Sequence, residues 1–133
     1  MIHRFIKYGI LLLVVMTSCG RSGPKQGNER VSPQVFADAI RSDTSIVLID
    51  VRSPKEMQRG FISGAVNMDF NGPDFEKSID DLDRNKNYFI YCASGKRSDK
   101  AQQLMKKKGF THTTVLEGGL TEWVAAGLPV NTQ

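Results

Sequence analysis

Between Val31 and Val130 short apolar runs alternate with stretches of helical periodicity, and this alternation constrains the fold more than any other feature. Ser45 to Asp50, Tyr88 to Tyr91 and Thr113 to Leu116 are β-branched or aromatic at nearly every inner position. Strands covered on both faces read this way. Ala65 to Asn67 reads as a shorter strand. Among the helical stretches, Val35, Phe36, Ala39 and Ile40 share one face behind an N-cap at Ser32 and a proline at Pro33. Pro54 to Arg59 forms a short helix stopped by Gly60, and Phe75, Ile79 and Leu82 keep helical spacing within Pro73 to Leu82. Lys96 to Lys108 turns Ala101, Leu104 and Met105 inward and ends at Gly109. Leu120 to Ala126 is the last helix, stopped by Gly127. Strands and helices alternating on short loops predict an α/β fold: a central, mostly parallel sheet with helices on both faces.

A chain of 133 residues suits one domain, and 40% apolar with 24% charged residues is a globular balance. The formal charge is +4, but Arg4 and Lys7 lie in an acid-free leader; without it 16 basic residues face 14 acidic ones. That near-neutral remainder argues against a nucleic-acid partner. Lys106, Lys107 and Lys108 complement a helix C-terminus. With two cysteines, Cys19 and Cys92, and two histidines, His3 and His112, neither a disulfide-stapled scaffold nor a metal centre is expected.

Residues 1–18 read as an export signal, with Arg4 and Lys7 ahead of an apolar stretch from Tyr8 to Met16. Nine residues at about 1.5 Å each cannot cross a hydrocarbon layer of roughly 30 Å. The run Met16-Thr17-Ser18-Cys19-Gly20 resembles a bacterial lipobox, with methionine where leucine is commoner. That resemblance implies acylation of Cys19 and anchoring in the cell envelope, at the outer membrane facing the periplasm. Residues 19–30 contain no apolar side chain able to seed a core beyond Cys19, and read as a flexible tether ahead of a domain at 31–133.

Cys92 stands where a buried strand gives way to a helix, the place where open α/β sheets hold ligands. The loop after it, Ala93, Ser94, Gly95, Lys96, Arg97 and Ser98, is small at first and then cationic. Its backbone can curl so that successive N–H groups point inward at a helix N-terminus. Such a nest binds anions and lowers a cysteine pKa from about 8.5 toward 7 or below. Cys92 is therefore the candidate nucleophile, and Ala93 to Ser98 the candidate substrate cradle. Lys96 is the candidate substrate contact, and Lys96 with Arg97 would steer an anionic substrate. Asp50 and Arg52 are expected to organise the fold beside the loop, with Arg52 pairing to Glu56 across the short helix.

Three ordered segments resemble a single-domain rhodanese over about Val31 to Val130. The first holds Ile49-Asp50-Val51-Arg52, Glu56 and Gly60 to Asn67; the second is Tyr91 to Ser98; the third holds Glu117 to Leu120, Trp123 and Gly127 to Val130. Phe61 and Ser63 depart from the histidine and proline more frequent in the first segment, and only a packing effect is expected there. The resemblance implies a rhodanese-like three-layer fold and cofactor-free sulfur transfer. Cys92 would take sulfane sulfur from a small anionic donor such as thiosulfate, and pass it from a persulfide to cyanide or a thiol. Trp123 and the Gly118-Gly119 turn would serve packing and backbone geometry.

Two rivals follow from the same loop. Phosphatases sharing this fold use a cysteine, five residues and an arginine; here Arg97 comes one place early and Ser98 takes the arginine's position, which leaves too small a loop for phosphate. A persulfide carrier or sulfur-sensing module would use the loop without efficient turnover. A disulfide oxidoreductase lacks a resolving cysteine near Cys92, and His112 has no evident catalytic role.

Overall fold

The computed structural model describes residues 27–132; the leader and Cys19 lie outside the described residues. Five strands, β1 (Asn28–Val31), β2 (Val47–Asp50), β3 (Val66–Asn67), β4 (Tyr88–Tyr91) and β5 (Thr113–Leu116), form one sheet. All pair in parallel, in the order β1-β5-β4-β2-β3. Five helices alternate with them: α1 (Pro33–Ser42), α2 (Pro54–Met57), α3 (Phe75–Asp80), α4 (Lys96–Lys107) and α5 (Gly119–Ala125).

Central β4 shows why the fold has three layers. All four of its residues are buried, and they alternate between faces. Tyr88 and Ile90 join Phe75, Ile79, Ala101 and Met105 beneath α3 and α4. Phe89 and Tyr91 join Phe36, Ala37 and Trp123 beneath α1 and α5. The Phe36 ring lies 4.8 Å from that of Phe89 and meets Trp123 edge-on at 6.3 Å, so one side chain fastens α1 to both β4 and α5. Trp123 donates its indole N–H to the carbonyl of Pro129 at 2.9 Å, which places it as packing. Phe61 forms an antiparallel bridge with Asn131, joining the turn before β3 to the C-terminal segment.

One boundary differs from the sequence expectation. Asn28, Glu29 and Arg30, expected as the end of a flexible tether, belong to β1 and pair with Thr113, Thr114 and Val115. The tether reading looked for apolar seeds, but an edge strand is held by backbone ladders and needs few. Side chains reinforce the edge. Gln102 on α4 donates to the carbonyls of Glu29 and Thr113 at 3.1 and 3.0 Å, and Arg30 pairs with Asp99. Ser32 occupies the N-cap position of α1 without a side-chain capping bond. The true capping box is at α2, where Ser53 accepts from the Glu56 amide and Glu56 accepts from the Ser53 amide.

Candidate active site

Cys92 follows the last residue of β4 and is 1% exposed. Gly95, at φ +97°, reverses the chain and caps α4, a conformation that costs a side chain-bearing residue strain. The turn brings the Gly95 amide to 3.1 Å from the Cys92 Sγ, and the Ser98 Oγ stands 3.5 Å from the same sulfur. Burial by itself raises the Cys92 pKa. The Ser98 hydroxyl and the backbone amides of Ser98, Gly95 and Ser94 outweigh it and hold the thiol below its usual value. The N-terminal end of twelve-residue α4 points the same way.

The outer side of the loop is fixed by α5. The Leu120 amide donates to the carbonyl of Cys92 at 2.8 Å, and the Thr121 amide and hydroxyl both donate to the carbonyl of Ala93 at 3.0 Å. With these carbonyls held outside, the following amides are left to face the sulfur. The contact is so close that a Cβ on Gly119 would stand 2.5 Å from the Cys92 carbonyl oxygen and 2.6 Å from that of Ala93. The glycine pair is thus backbone geometry, and that geometry positions the Cys92 thiol.

Arg97 reaches across to α2. Its guanidinium donates to the two Glu56 carboxylate oxygens at 2.8 and 2.7 Å, a fork-to-fork pair. This pairing, with help from Ser53, brings the Glu56 pKa down to about 2. The expected Arg52–Glu56 ion pair therefore does not form. Arg52 instead grips the fully buried Asp50 carboxylate, with Nη2 at 2.6 Å, and donates to the Gly60 carbonyl at 2.6 Å. Only the Glu56 backbone carbonyl lies near Arg52, at 3.4 Å. Asp50 and Arg52 form a buried ion pair at the end of β2. Arg52 is 4% exposed and does not present its charge to solvent. Lys96 and Ser94 are exposed at the loop, and Ala93 is half-buried.

Sequence reasoning missed Glu56 as the anchor of Arg97 and Thr121 as a pin on the loop. The first was detectable: the Ser53-to-Glu56 spacing is a capping-box pattern that fixes where the carboxylate sits. A depression of about 340 Å³ adjoins the loop, lined by Arg52, Ala93, Leu120, Thr121 and Val124. A larger groove of about 440 Å³ runs between α1, α5 and the Ile62–Gly64 turn, and includes Ser63. None of its lining residues belongs to the Cys92 loop. Among the described residues no cluster of histidine, cysteine and carboxylate side chains could hold a metal ion, and no helix is long and apolar enough to cross a membrane.

Residues 32–126 match the rhodanese-like domain family. The thiosulfate:glutathione sulfurtransferase of Saccharomyces cerevisiae is 34% identical over 98 residues, 65% of this chain and 70% of that protein. A sulfurtransferase of Allochromatium vinosum is 25% identical, over 75% of this chain and 92% of its own length. The Bacillus subtilis protein YrkF, whose name describes a sulfur carrier, is 32% identical over 70% of this chain; the chain spans about half, 49%, of its length. The crystal structure of a rhodanese-related protein from Thermoplasma volcanium superposes with a TM-score of 0.69 at 27% identity, covering 79% of this chain and 99% of that one.

Proposed function

This chain belongs to the rhodanese-like domain family, and on that premise we propose that it moves sulfane sulfur through a persulfide on Cys92. The observation carrying this reading is the amide and hydroxyl cradle around Sγ, which holds the thiol below its usual pKa. In the first step the Cys92 thiolate attacks the outer sulfur of a donor such as thiosulfate. A bond forms between Sγ and that sulfur, the sulfur–sulfite bond breaks, and sulfite leaves with the electron pair. The persulfide's negative charge then occupies the place of the thiolate, and donors fixed before the reaction stabilise it without reorganising. In the second step a thiolate or cyanide attacks the sulfane sulfur and releases Cys92 as thiolate.

The test supplies thiosulfate and cyanide to residues 27–133 and measures thiocyanate, beside Cys92→Ser. Turnover by the wild type and none by the variant is expected; equal turnover by both would overturn the assignment. A second reading, a persulfide carrier, is favoured by the likeness to YrkF. It predicts a gain of one sulfur in the intact mass after thiosulfate, with no thiocyanate formed. The lipobox-like run before Cys19 further supports placing the domain in a bacterial envelope through an acylated Cys19. Cys19→Ala should then move the protein from the membrane to the soluble fraction, and retention at the membrane would reject the anchor.

A further inference from the structure

The peptide between Ala93 and Ser94 is gripped from outside by a single residue. Thr121 donates both its amide and its hydroxyl to the Ala93 carbonyl oxygen, each at 3.0 Å. The amide bond comes from the backbone of α5, whereas the hydroxyl bond depends on this side chain alone. It does not cap α5, because it crosses to another element, and Gly118 holds the N-cap position. Thr121 is exposed, so its hydroxyl takes the carbonyl although water could serve it equally. Every peptide bond among the described residues is trans, and a trans peptide points its N–H opposite to its C=O. A carbonyl held toward α5 therefore turns the Ser94 N–H the other way, and the Ser94 amide is among the groups that hold the Cys92 thiol low. Two donors on one oxygen also polarise the peptide, which strengthens its N–H as a donor.

We infer that Thr121 is a positioning residue for the Cys92 thiolate: its hydroxyl fixes and polarises the Ala93–Ser94 peptide so that the Ser94 amide donates to the sulfur. The inference deepens the sulfur-transfer reading, because the same amide would face the negative charge of a persulfide on Cys92. Charged groups do not mediate the effect. Those around the loop are Arg97 with Glu56 and Asp69, Arg52 with Asp50, and the exposed Lys96 and Glu122. Among the described residues the Thr121 hydroxyl bonds the Ala93 carbonyl and none of these.

The experiment compares the wild type with Thr121→Val and Thr121→Ser. Alkylation by iodoacetamide is followed on the Cys92 peptide by mass spectrometry from about pH 5 to about pH 10, which spans the titration of a lowered thiol. Urea midpoints are measured beside it. Valine keeps the branched shape and the backbone amide and removes only the hydroxyl. Below the thiol pKa, Thr121→Val should react about two- to four-fold more slowly, the loss of one of two donors on a polarised peptide. At strongly alkaline pH, where every form is thiolate, its rate should equal that of the wild type. Thr121→Ser restores the hydroxyl and should recover the wild-type profile. A Thr121→Val profile that superimposes on the wild type overturns the inference, whatever the urea midpoint does. So does a Thr121→Ser profile that follows Thr121→Val, which would assign the effect to the methyl group. Alkylation needs no sulfur donor, so failure of thiosulfate to sulfurate the wild type would remove the sulfur-transfer reading and leave the role of Thr121 standing.

Discussion

Ser98 has one hydroxyl proton and two acceptors, the Gly95 carbonyl at 3.0 Å and the Cys92 sulfur at 3.5 Å. A neutral thiol competes poorly for that proton, whereas a thiolate or persulfide competes well. The hydroxyl is thus a donor that engages as charge appears. Ser98→Ala should raise the Cys92 pKa, because the largest contribution lowering it is removed. Alkylation of Cys92 by iodoacetamide should slow several-fold in mildly acid buffer and match the wild type at strongly alkaline pH, where both proteins are fully thiolate. Identical pH profiles would show that the amides alone set the pKa. The sequence places Ser98 in the loop after Cys92, while its two-acceptor arrangement depends on Gly95 adopting positive φ.

At the scale of elements, the Cys92 loop is suspended between α5, which donates to its carbonyls, and α2, which takes Arg97. Helix α2 has only four residues and owes its order to the Ser53–Glu56 capping box. Glu56 therefore orders a helix and anchors a loop with one carboxylate. Its pKa falls from 4.5 to about 2, so its contribution to stability is complete above about 4.5 and is lost as pH falls toward 2. Glu56→Gln should flatten the urea-stability curve across that window. At neutral pH the loss should be about 1 kcal/mol or less, since the pair is partly exposed and screened. A wild-type acid limb in Glu56→Gln would mean that other carboxylates carry it. The Arg52–Glu56 pairing expected from sequence followed i,i+4 proximity; the buried Asp50 carboxylate, two residues from Arg52 at the end of β2, wins instead.

For the whole molecule, the layer order followed from the alternation of buried strands and amphipathic helices. The parallel pairing followed from the helical crossovers between strands. What composition hid was β1, whose polar side chains give no apolar signal while its backbone pairs along β5. A domain beginning at Gly27 should keep full stability. One beginning at Ser32 leaves β5 as the edge and removes a short ladder of backbone bonds, each worth about 1 kcal/mol net. Urea denaturation of the two forms should differ by roughly 2–4 kcal/mol, allowing for partial rescue by water. Equal midpoints would return residues 28–31 to the tether. Residues 29–31 are also where Arg30 and Gln102 couple the edge to α4, so the shorter form should lose some order in the helix that begins at the Cys92 loop.

Parallel pairing gives the molecule a polarity. The chain enters the sheet at Asn28, at the end where every strand starts, and Cys92 lies past the opposite end, where every strand stops. Entry and mouth are separated by the length of β1, four residues or about 13 Å, plus the loop. Anything that pulls on the chain upstream of Gly27 therefore holds the domain from behind. If the attachment proposed at Cys19 operates, the thiol points away from the supporting surface, toward whatever diffuses past it.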